Sequence, residues 1–172
     1  MAFSLGKRLW FDLVFVLVAL VAVVSDQVTK AWALRNVSEN QIEPFLGNFI
    51  SFQLVHNSGA AFSLLANATW VFTILAVVII GVMLVYIHRT TSLLWLLSLS
   101  LLFGGAFGNL LDRLFRPPSF GTGHVVDFLN WNGWFVGNVA DIYIVVAAVA
   151  LFLLAMLGVP LKDEPEQVSA DE

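Results

Sequence analysis

No cysteine occurs among the 172 residues, which excludes a disulfide, a thiolate nucleophile and a thiolate metal site, whichever compartment the loops face. Charge is also scarce. Lys, Arg, Asp and Glu make up 12% of the chain against 59% apolar residues, and mean hydropathy is +0.88. A soluble domain of this size could not cover that apolar surface with so few charges, so the expected solvent is a bilayer. The formal net charge of −4 is due in part to a polar, acidic stretch at 162–172, punctuated by Pro165 and preceded by Pro160, which is expected to be disordered. The rest, 1–161, reads as a single membrane domain.

A membrane helix needs roughly 20 mostly apolar residues, and such windows occur at 9–28, 70–87, 93–111 and 139–159. The first follows Lys7 and Arg8 as a signal-peptide core would, but Ser25, Asp26 and Gln27 come next instead of a small-x-small cleavage site, so it reads as an uncleaved span. A tight turn at 88–92 makes spans two and three antiparallel neighbours, and the two long connections, 31–69 and 115–138, then share the opposite membrane face. The branched and aromatic run at 49–55 (FISFQLV) suits a strand or two at the interface. Trp131 and Trp134 suit the headgroup level. Cations divide evenly, with Lys7, Arg8, Arg89 and Lys162 on one side and Lys30, Arg35, Arg113 and Arg116 on the other. The charges preceding the first span favour cytoplasmic termini.

An ionised group in hydrocarbon costs at least ~2.5–3.5 kcal/mol on insertion scales, so each acid at a span end needs a reason. Asp26 closes the first span with Lys30 four residues later on the same helical face, which fits an ion pair. Gly104, Gly105 and Gly108 permit another backbone to approach span three. Beyond them Asn109, Asp112 and Arg113 share a face, with Asp112 and Arg113 read as a neutralising pair and Asn109 as an amide able to orient a carboxyl group. Asp127 and Asp141 are 14 residues apart, and the intervening 130–134 segment can fold back to bring them together at the head of span four. Two carboxyl groups that close in a low dielectric share one proton, supplying an acid and a base for activating water against an amide.

His56 and His124 lie far apart with no HExxH helix, so no metal is expected, and Ser58 and Ser63 have no Lys or His at a dyad spacing. Two other readings stay open on these residues. One is a proton relay through Asp26, Asp112 and Asp141, although these acids lie at span ends and only Asp12 sits near the opposite face. The other is a binding subunit whose acids merely pair with Lys30 and Arg113.

Taken together, the blocks at 26–30 (DQVTK), 56–63 (HNSGAAFS), 108–113 (GNLLDR), 123–128 (GHVVDF) and 138–141 (NVAD) resemble, in order, the five signature blocks of the type II, or lipoprotein, signal peptidases. The resemblance implies a mainly α membrane fold of four transmembrane helices, with a small extracytoplasmic β-cradle and a short amphipathic helix. It implies an aspartic peptidase of the bacterial inner membrane that cuts before a diacylglyceryl-modified cysteine, with the active site near the extracytoplasmic face. Asp127 and Asp141 become the catalytic pair, with Asp26, Lys30, Asn57, Gly59, Asn109, Asp112, Arg113 and Asn138 in support. The expected partners are a lipid-modified prolipoprotein and membrane lipids, with no nucleic acid, no cofactor and a monomeric enzyme. Two positions depart from the family's usual pattern. Gly137 stands where an aromatic residue is common and is expected to widen that corner, and Ile142 stands where a serine is common. The 115–122 stretch is also longer than in many members.

Overall fold

The computed structural model describes residues 5–39, 41–47, 49–59 and 69–162. Four helices, α1 (Leu5–Asn36), α2 (Thr69–Arg89), α3 (Leu93–Phe115) and α4 (Val139–Met156), are each long and apolar enough to cross a bilayer. Their outer faces carry large apolar side chains, with Leu17, Val78 and Phe152 each more than half exposed. Such a surface is stable against lipid tails, which are as apolar as leucine. The acidic tail expected to be disordered lies, from 163 onward, outside the described residues, which also contain no short amphipathic helix.

Helix α3 is the centre of the bundle. Gly104 has no side chain where Ala19 and Ala22 of α1 approach, and Gly105 has none where Ala140 and Ile144 of α4 approach, so three backbones pack closely on one side. On another face, Ile80, Met83 and Ile87 of α2 join Leu96, Leu99 and Leu110 of α3 in one apolar cluster with Phe11. Only Thr90, Thr91 and Ser92 separate α2 from α3, which makes them antiparallel as expected. That turn is tied to the chain beyond α4, because the Thr90 Oγ1 and the Thr91 N–H both donate to the Leu161 carbonyl.

Helix α1 differs from the sequence expectation. It continues past residue 28 to Asn36, so Asp26 lies inside it. The helix tolerates the charge because Lys30, one turn on, neutralises it in the interior. At 1.5 Å per residue its 32 residues extend about 48 Å, well beyond the ~30 Å hydrocarbon core. The surplus carries Ala33, with Val37 just past the helix, beneath a small sheet, where they pack on Leu54, Val126, Phe128 and Leu129.

That sheet comprises β1 (Glu43–Leu46), β2 (Ile50–Asn57), β3 (Val125–Trp131) and β4 (Val136–Gly137), antiparallel in the order β1-β2-β3-β4. Of the strand or two expected at 49–55, that segment forms one, β2, which pairs with β1 from outside it in a hairpin. Strand β3 is not legible in the sequence, because it is buried on both faces and so lacks the polar alternation that reveals a half-exposed strand. The fold-back at 130–134 is the β3–β4 turn. Asn132 and Gly133 take successive positive φ values of 51° and 77°, the conformation that suits a two-residue hairpin turn.

Candidate active site

The site grows from the N-terminus of α4. Asn138 caps that helix, its side-chain oxygen accepting from the Asp141 N–H at 3.1 Å, while Asp141 Oδ2 accepts from the Asn138 N–H at 3.0 Å. This reciprocal box leaves the Asn138 side-chain amide to point elsewhere, and it donates to Asp127 Oδ1 at 2.7 Å and to Asn109 Oδ1 at 3.1 Å. Both acids therefore meet on one fully buried residue, Asp141 at its backbone and Asp127 at its side chain.

Asp127 arrives from β3, opposite Val55 of β2. Two residues further along β2, on the same face of the strand, Asn57 donates its amide to Asp127 Oδ2 at 2.8 Å. The Asn57 amide is itself held, because its oxygen accepts from the Gly59 N–H at 2.7 Å. Gly59 makes that turn with φ at +84°, and a Cβ there would lie 2.7 Å from the Phe72 ring. Burial raises the Asp127 carboxyl from its ordinary range to about 6. The hydrogen bonds from Asn57 and Asn138 oppose the rise, and the nearby charge of Asp141 adds to it.

Behind the two acids lies a buried polar cluster. Lys30 Nζ reaches Asp26 Oδ2 and Asp112 Oδ2 at 2.9 Å each and donates to Asn109 Oδ1 at 2.8 Å. With its oxygen so engaged, Asn109 turns its amide to Asp141 Oδ1 at 3.0 Å. The two buttressing acids each hold an element in place. Asp26 Oδ1 accepts from the Ala140 N–H of α4, and Asp112 Oδ2 accepts from the Val126 N–H of β3, both at 3.1 Å. Gly108 admits the Asp26 carboxylate, since a Cβ there would come 2.5 Å from Asp26 Oδ2.

All ten residues singled out in the sequence thus lie in or around one site, with three differences in detail. Asp112 is not neutralised by Arg113. Its partners are Lys30 and Arg116, the latter at 2.6 Å, because residues one apart on a helix face different ways while those four apart are stacked. Arg113 instead reaches over the Phe72 ring at 5.5 Å, toward the Ser58 carbonyl at 3.5 Å, within electrostatic range of Asp127, Asp112 and Asp141. Gly137 does not widen its corner, since a Cβ there would be 2.8 Å from Asp141 Oδ2 and 3.3 Å from the Phe135 ring, which occupies the space. Gln27, to which the sequence assigns no site role, has an amide that bridges Asp26, the Gly108 carbonyl and Asp112 at 3.1–3.2 Å. Its only sequence signal was a polar amide beside Asp26. His56 pairs with Glu39 at 3.1 Å. Of the 56–63 block, residues 60–63 lie outside the described residues.

The chain matches the profile of a family described as Signal peptidase (SPase) II over residues 18–157. It is 45% identical over 159 residues to the lipoprotein signal peptidase of Bifidobacterium longum subsp. infantis, covering 92% of this chain and 87% of that one. It is 44% identical over 148 residues to the lipoprotein signal peptidase of Rhodococcus jostii, covering 85% and 74%. A solved structure described as a bacterial membrane enzyme, at 2.3 Å resolution, aligns with a TM-score of 0.74 and 26% identity over 88% of this chain and 93% of its own.

Proposed function

This chain belongs to the signal peptidase II family, and we propose that within it Asp127 and Asp141 are a catalytic pair that activates water to cut a diacylglyceryl-modified prolipoprotein just before its lipidated cysteine. As a member of the family it is a multi-pass membrane peptidase that removes signal peptides from prolipoproteins. The aspartic mechanism, the point of cleavage and the roles of single residues are our reading.

The observation that carries it is the convergence of the two acids on Asn138. Each carboxylate is held by two N–H donors, Asp127 by Asn57 and Asn138, Asp141 by Asn109 and Asn138. The oxygens are therefore oriented before substrate arrives. Burial favours a proton on Asp127, and mutual repulsion lets the pair keep one proton between them. The ionised acid takes a proton from water as it attacks the carbonyl carbon. The protonated one stabilises the developing oxyanion and then protonates the amine as the C–N bond breaks. Arg113 adds a positive charge facing both acids. Asp26, Lys30, Asn57, Gly59, Asn109, Asp112 and Asn138 position the pair. The scheme draws on no metal or cofactor, and one chain contributes every group.

The two acids lie where α4 begins, at the end of the bundle opposite Leu5, where α1 starts, and Met156, where α4 ends. With Lys7 and Arg8 in the first turn of α1 holding that end in the cytoplasm, the site opens at the extracytoplasmic face of the bacterial cytoplasmic membrane. A lipidated precursor then enters sideways from the bilayer. The test is incubation of purified protein with a lipidated precursor and its unlipidated twin, with and without a chelator. We expect cleavage of the lipidated form alone, indifferent to chelation, and a loss of at least about 10³-fold in Asp127→Asn and in Asp141→Asn. Near-normal turnover by either folded variant would defeat the proposal.

A further inference from the structure

An apolar groove of about 240 Å³ opens beside Asp141 on the outer face of α4. Asn138 and Asp141 form its polar end, Ile142, Val145 and Val146 its floor, and Trp131 and Phe135 its opposite wall. The floor residues follow Asp141 by one, four and five positions, so the groove runs along α4 from Asp141 toward the apolar middle of the helix. Its wall is built, since the Trp131 and Phe135 rings stack 5.9 Å apart at an interplanar angle of 16°. Phe135 reaches the carboxylate corner because Gly137 has no side chain to exclude it.

We propose that this groove seats one acyl chain of the diacylglyceryl cysteine, and that Val145 and Phe135 are the residues that govern acyl-chain selectivity. The proposal rests on the function given above. The groove ends on Asp141, so a cysteine whose amide is at that acid places its thioether-linked lipid at the groove's mouth. Its lining identifies the occupant. An extended peptide laid there would bring N–H and C=O groups with no partner beyond the polar end, which a lipid-facing surface forbids. A signal-peptide helix satisfies those groups internally but is ~10–12 Å across, too wide for a trough of this volume. A hydrocarbon chain fits on both counts.

The chain's alternative environment is lipid of equal apolarity, so seating it adds little affinity. What it adds is orientation, holding the scissile amide in line with the two acids, and the effect belongs in kcat. The test uses synthetic precursor peptides whose glyceryl cysteine bears either two palmitoyl or two butyryl chains. In the Val145→Trp variant, which fills the groove, the palmitoyl-to-butyryl ratio of kcat falls by about tenfold. Val85→Trp, exposed on α2, keeps the wild-type ratio. Separately, a dipalmitoyl precursor carrying a diazirine in one acyl chain, bound to Asp127→Asn, crosslinks to Phe135, Val145 or Val146. This second measurement decides the matter if Val145→Trp does not fold. A retained ratio in folded Val145→Trp, the absence of any chain-length preference in the wild type, or crosslinks confined to α2 overturns the groove. A wild type that cleaves neither precursor overturns the peptidase reading itself.

Discussion

The Lys30 ammonium has three N–H donors, and Asp26, Asp112 and Asn109 receive them at 2.8–2.9 Å in a pocket with no exposure to solvent. Removing the cation leaves two carboxylates facing one another in the interior. Lys30→Met is therefore expected to cost about 3–5 kcal/mol, read as a lowered thermal midpoint in detergent. A midpoint unchanged from wild type would mean the cluster carries no net charge to neutralise. The Asp127 carboxyl, raised from 3.8 to about 6, binds a proton in the folded state that the unfolded chain releases. Its contribution to stability is greatest below 3.8 and is lost as pH rises through about 6, roughly 3 kcal/mol in all. Asp127→Asn lacks that titration, so its thermal midpoint should gain on wild type between pH 4 and pH 7. Parallel pH profiles would place Asp127 in the ordinary carboxylate range. At this scale the Asp26–Lys30 pair was legible, because spacing of four on a helix is a local signal. The Asp112–Arg116 pair was not, since Arg113 is adjacent in sequence and only helical twist tells the two arginines apart.

At the scale of elements, α3 organises the site through residues that lack side chains. Gly108 is where α1 delivers its carboxylate, and α4 is then held by the bond from the Ala140 N–H to that carboxylate. Gly108→Ala should push Asp26 away, lower the thermal midpoint and reduce turnover about tenfold or more, as small displacements of a positioned group do. Gly81→Ala on α2 is the matched control, because a Cβ there meets nothing within 4 Å, and it should leave turnover unchanged. Equal effects of the two substitutions would indicate helix propensity and not packing as the cause. The four helices were readable as apolar windows, although the end of α1 was not. Its last two turns are stabilised by packing on the sheet, a partner distant in sequence. Strand β3 leaves no local signal for the related reason that it is covered on both sides.

For the whole molecule, the absence of cysteine is an experimental advantage, since single-cysteine variants report topology without background. A membrane-impermeant maleimide should label Asn132→Cys, at the β3–β4 turn, in intact cells, and Arg89→Cys, at the α2–α3 turn, only after permeabilisation. The reverse pattern would invert the orientation proposed from Lys7 and Arg8. By itself the sequence determined that four helices span a bilayer and which polar residues interrupt them. Transfer from water to hydrocarbon is a sum over about 20 neighbouring residues, and each buried charge stands out against that sum. Only the tertiary structure decided which oxygen meets which donor. Asp26 and Lys30 come from α1, Asn57 from β2, Asn109 and Asp112 from α3, Asp127 from β3 and Asp141 from α4. They become neighbours when the glycine face of α3 lets α1 and α4 close, and a hydrogen bond depends on tenths of an ångström that no local pattern encodes.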